Sequence, residues 1–162
     1  MEVLEKISRI LSRAFMGLAG VFLVAMILIT CANIFSRLVW VPIKGTFELM
    51  GFFGAVTTAF ALGYTQLDKA HISVDILVNR FPPKIRMALN GINSFICMIF
   101  FSLAGYQITR WATTIRETGE VTETLRVIYY PFTYAVALGC FLLALVLLVQ
   151  FLKLFFSAPG DR

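Results

Sequence analysis

Charge disappears from this chain four times. Ala14–Ser36, Leu49–Leu67, Met87–Thr109 and Val127–Leu152 contain no acid, base or histidine. An α-helix rises about 1.5 Å per residue, so a run of about twenty residues crosses a hydrocarbon core of roughly 30 Å. The pattern predicts an all-α membrane protein with four transmembrane helices, over about 14–36, 49–67, 87–109 and 130–152. No proline interrupts the middle of a run. Pro83 and Pro131 stand where the third and fourth helices would open, a position where a missing N–H costs nothing.

Before the first run the pattern changes. Val3, Leu4, Ile7, Ile10, Leu11 and Ala14 recur at helical spacing, with Lys6, Arg9 and Arg13 on the other side. This predicts an N-terminal amphipathic helix lying in the membrane surface and then turning into the first span. The charged start resembles that of a signal sequence, but the apolar run is too long and no small-x-small cleavage site follows cleanly, so it reads as a retained span.

Composition narrows the reading. The chain has 162 residues, 59% of them apolar, so four spans and their loops consume it as one four-helix transmembrane domain. No room is left for a soluble catalytic or nucleotide-binding domain, and no enzyme activity is expected. The net charge of +5 belongs to span-flanking residues and not to a nucleic-acid surface. Nine of the fourteen basic residues fall on the side of the two termini and the middle loop, so both termini are expected in the cytoplasm. Trp40, Trp111, Tyr129 and Tyr130 would form an aromatic belt on the opposite face. Cys31, Cys97 and Cys140 lie within apolar runs, without metal or disulfide spacing.

The spans also show what they lack. Ion-coupled carriers place ionisable groups or broken helices near the midplane, and haem subunits place histidines there. This chain has one histidine, His71, in a loop. The pathway for transport or electrons is therefore expected in another chain, and no cofactor or metal site is expected; His71 and Asp75 supply too few ligands for zinc. Gly51, Ala55, Ala59 and Gly63 fall four apart on the second span. That small-residue face would pack either the chain's own helices or a second membrane protein. Asn33 and Arg37 share a helix face, and Glu48 opens the next helix on the same side of the membrane, so an Arg37–Glu48 ion pair is expected there. The segment Arg110–Arg126, with Glu117, Glu120 and Glu123, reads as a solvated connector or a docking surface.

The order Asn33-x-x-x-Arg37, Glu48, the small-residue span to Gly63, His71-Ile72-Ser73-Val74-Asp75 and Phe81-Pro82 with Arg86 resembles a known family. It is similar to the small four-span membrane subunit, DctQ type, of tripartite ATP-independent periplasmic (TRAP) transporters. The resemblance runs from Arg13 to about Phe156, and its most specific part is Gly63 through Asp75. Many relatives carry two acids opening the second span, whereas this chain has Phe47-Glu48. The resemblance implies a multi-pass protein of the bacterial inner membrane, working with a large multi-span subunit and a periplasmic substrate-binding protein. It implies import of an organic acid on an ion gradient, usually sodium, with the small subunit as scaffold and part of the docking surface. His71 and Asp75 would tie the cytoplasmic loop to a helix end or lipid headgroup. Competing readings are an assembly subunit of another membrane complex and a small homodimeric exporter, the latter disfavoured by the missing buried acid.

Overall fold

The computed structural model describes residues 2–39, 41–67 and 82–156. Four helices account for nearly all of them: α1 (Glu2–Val39), α2 (Thr46–Leu67), α3 (Pro83–Thr118) and α4 (Tyr130–Phe156). All four are long and apolar enough to cross a membrane. Pro82 caps α3 and Pro83 stands in its first turn, as the sequence predicts. At the other end Gly119 takes the left-handed conformation, φ 68°, and donates to the carbonyl of Ile115, a standard glycine stop.

Two helices exceed their charge-free runs. α1 has 38 residues and α3 has 36, so each is about 55 Å long against a core of roughly 30 Å. The expected turn between a surface helix and the first span is absent: residues 2–13 continue α1 without a break. The reason lies in the packing. Ser8 and Ser12 are fully buried, whereas Val3, Leu4, Ile7 and Ile10 are exposed. The small side of the segment faces the protein and the apolar side faces outward. Glu5 pairs with Arg9 within α1 at 2.8 Å and with Lys153 near the end of α4.

Contacts set the directions. Phe15 meets Phe60 edge-on at 4.5 Å, and Thr30 reaches Met50, so α1 and α2 are antiparallel. Phe52 stacks on Phe132 and Gln66 bonds Gln150, so α2 and α4 are parallel. Thr113 meets Tyr134 at 3.0 Å and Phe95 meets Phe151 at 5.5 Å, so α3 and α4 are antiparallel. The start of α1 and the end of α4 therefore share one end of the molecule, here the terminal end. The α1–α2 and α3–α4 connections share the other, the loop end.

Among the described residues the helices form an open row, α1–α2–α4–α3, and not a closed bundle. α3 packs closely on α4 alone, and α1 touches α4 only lightly. The core cluster sits between α1, α2 and α4: Ala19, Val56 and Phe60, flanked by Phe15, Phe22 and Phe132. Large apolar side chains stay exposed on the outer helices of the row, such as Val21 and Ile27 on α1 and Phe100 and Leu103 on α3. Hydroxyls within the spans bond back one turn, as Thr30 to Met26, Thr58 to Gly54 and Thr109 to Gly105, so they cost little in lipid.

Candidate functional site

The loop end carries an ordered polar platform. α2 begins where the left-handed Gly45, φ 77°, turns the chain, and the Thr46 hydroxyl donates to the Ile43 carbonyl at 2.8 Å. Asn33, one turn inside α1, accepts the Ile43 N–H at 2.9 Å, and Ser36 donates to the Val41 carbonyl at 2.6 Å. The asparagine thus secures the α1–α2 connection. Its helix-mate Arg37 is exposed.

Glu48 does not pair with Arg37. Its carboxylate accepts the backbone N–H groups of Thr124 at 2.7 Å and Leu125 at 3.2 Å. The expected ion pair is thereby corrected: two convergent amides outcompete a solvated guanidinium, because they are already fixed in place and cost no side-chain entropy. The same approach brings Leu125 so near Gly45 that a Cβ there would overlap the leucine side chain.

The α3–α4 connection is therefore held, not loose. Arg110–Thr118, expected as loop, is the last part of α3. Beyond it Val121 and Ile128 form a single antiparallel bridge, and the Thr122 N–H reaches the Val127 carbonyl at 3.1 Å. Arg126, φ 52°, makes the reversal. The Tyr129 hydroxyl donates to Glu120 at 2.8 Å; that hydrogen bond, then partial burial and the charge of the carboxylate, hold the phenol above its ordinary pKa. Tyr129 also stacks on Phe52 of α2 at 5.6 Å. Glu117 and Glu123 remain exposed on this surface. The sequence did not single out Gly45, Thr124, Leu125 or Tyr129 as a unit; a glycine three residues before a helix-opening acid was the available signal.

The small-residue face of α2 divides. Ala59 and Gly63 are buried in the row. Gly139 of α4 lies so close to Ala59 that a Cβ on it would stand 2.7 Å from the Ala59 backbone. Gly63 faces Leu142 and Ser12. Gly51 and Ala55 are exposed on the outer surface, and nothing lies within 4 Å of the place of a Cβ on Gly51. His71 and Asp75 lie outside the described residues. No group of three metal-ligating side chains occurs among the described residues.

A family model described as tripartite ATP-independent periplasmic transporters, DctQ component, matches residues 26–157. The chain belongs to the DctQ family. It is the small membrane subunit of a TRAP transporter. The match takes in the row from Met26 of α1 onward, including the Asn33, Gly45 and Glu48 contacts; residues 2–25 of α1 precede it. No curated protein and no solved structure matches this DctQ chain.

Proposed function

We propose that this DctQ subunit is a fixed scaffold for the large multi-span subunit and contributes part of the docking surface for a periplasmic binding protein. The transporter would import an organic acid on an ion gradient, with sodium as the coupling ion. The chain would sit in a bacterial inner membrane as one four-helix domain, termini in the cytoplasm and platform in the periplasm. One observation carries the scaffold reading: among the described residues, no acid, base or histidine lies in the middle of any helix, and no helix is broken there. A path for a carboxylate and its ions needs such groups or freed backbone. The exposed Gly51 and Ala55, one turn apart, favour the upper part of α2 as a contact for the large subunit.

The test uses the complete transporter reconstituted in vesicles. Glu48→Ala frees the platform, so uptake should fall while the two membrane subunits still co-purify. Gly51→Leu with Ala55→Leu should weaken co-purification itself. Uptake by this chain alone, or full uptake and intact co-purification in all these variants, would overturn the reading.

A further inference from the structure

Direct contacts define one level across the row. At the place of a Cβ on Gly63, the Ser12 hydroxyl lies 3.5 Å away and Leu142 lies 3.0 Å away. Next to Leu142, the Phe141 ring lies 3.2 Å from the corresponding place on Gly105. Ser12, Gly63, Leu142 and Gly105 therefore stand side by side on α1, α2, α4 and α3. Their positions within the charge-free runs differ. Ser12 precedes Arg13, the terminal-end charge border of α1. Gly63 lies in the last turns of the α2 run, and Leu142 lies near the middle of the α4 run. Gly105 lies close to Arg110, the loop-end charge border of α3. Crossing the row at one height thus passes from one membrane border to the other.

We infer that the lipid-contacting surface of this protein is a band oblique to its helices, and that the row sits strongly tilted in the bilayer. The centres of the α1 and α3 charge-free runs are offset along the helix axes by about 20–30 Å. Three helix–helix spacings of about 8–10 Å separate those two helices. The two lengths are comparable, so the helices lean about 40° from the membrane normal, the upper end of the usual range. The lengths of the outer helices agree. α1 extends past its run at the terminal end, over residues 2–13, and α3 extends past its run at the loop end, from Arg110 to Thr118. Those are opposite corners of the row, where an oblique membrane leaves excess helix. The partner is the bilayer itself, fitted by exposed apolar side chains between two slanted rows of charge.

The test compares residues at one height. Ile10 on α1 and Leu103 on α3 are both exposed, 60% and 63%, and stand at nearly the same level. Spin labels are placed on Ile10→Cys and Leu103→Cys, with the three native cysteines replaced, in the full chain reconstituted in bilayers. Oblique insertion puts the Leu103 label in the oxygen-rich core and the Ile10 label among headgroups exposed to a water-soluble nickel relaxant. The depth difference should be about 10 Å or more. Infrared dichroism of the unmodified chain in aligned bilayers gives the mean helix tilt without any substitution. Equal depths for the two labels, or a mean tilt below about 20°, would overturn the inference.

Discussion

Four helices in lipid must be held together by close approach, and the glycines grade that approach. Consider the same substitution, Gly→Ala, at Gly51, Gly63 and Gly139. Each gains up to about 1 kcal/mol of helix propensity, so that gain cancels on comparison. What remains is the neighbour. At Gly51 a Cβ meets nothing within 4 Å. At Gly63 it stands 3.0 Å from Cδ2 and 3.1 Å from Cγ of Leu142, a side chain that must give by a few tenths of an ångström. At Gly139 it stands 2.7 Å from the Ala59 carbon and oxygen and 2.8 Å from its Cβ, and that backbone can yield only if α4 moves off α2. The movement needed is about 0.7 Å, enough to forfeit a quarter to a half of each dispersion contact along the seam. Overpacking of this kind costs about 1–3 kcal/mol, or a roughly 5- to 150-fold shift in the folded fraction. Helicity followed through a dodecyl sulfate titration in mixed micelles should therefore rank the variants Gly51→Ala, Gly63→Ala, Gly139→Ala in falling stability. The reasoning fails if Gly139→Ala is as stable as Gly51→Ala, since the helices would then not meet at Ala59.

Other contacts give smaller signals. Asn33→Ala removes the acceptor of the Ile43 N–H, worth about 0.5–1.5 kcal/mol, so that amide should exchange about 2- to 10-fold faster; unchanged exchange would show the asparagine does not hold the loop. Gln66 and Gln150 bond each other at 2.9 Å between α2 and α4. A double-mutant cycle with leucine at both should give a coupling near 0.6 kcal/mol and under about 1.7 kcal/mol; zero coupling would refute the pair. Glu120→Gln removes the carboxylate that opposes ionisation of Tyr129. A raised folded pKa means the contact contributes below the ordinary phenol range and is lost as pH rises through the folded value. Ultraviolet titration should show one tyrosine ionising at lower pH in Glu120→Gln, and the Tyr129→Phe variant should lack that shift; identical curves would rule the contact out.

The spans were legible because lipid imposes a single demand, the absence of charge, over a fixed length. Helix ends were less so. The charge-free run reports where lipid is, whereas α1 and α3 continue as far as backbone bonding and packing allow. The polar composition of Arg110–Arg126 read as connector throughout, although α3 runs on to Thr118 and stops at Gly119. Neighbour order was not legible, since a helix with lipid on one side and protein on the other is apolar on both. The buried Ser8 and Ser12 reverse the soluble-protein rule that the apolar side faces in. The partners of Glu48 eluded sequence reasoning for another reason. Charge pairing can be guessed from neighbours, but its partners are backbone amides 76 and 77 residues away.

The two ends of the row are built for different work. Among the described residues of the terminal end, Gln150 meets the side chain and the backbone carbonyl of Gln66, while Glu5 joins Arg9 and Lys153 through long side chains. Exposed or flexible pairs of that kind hold geometry weakly. At the loop end, Asn33, Ser36, Thr46 and Glu48 all bond to backbone, and Tyr129 and Phe132 stack on Phe52. Backbone partners fix position more tightly than side-chain pairs, because fewer rotors must be ordered. A surface that must meet a soluble partner repeatedly in one shape gains from such rigidity, since little ordering then remains to oppose binding. The asymmetry in bonding therefore makes the loop end the more rigid end among the described residues, which is what the proposed docking role would require of it.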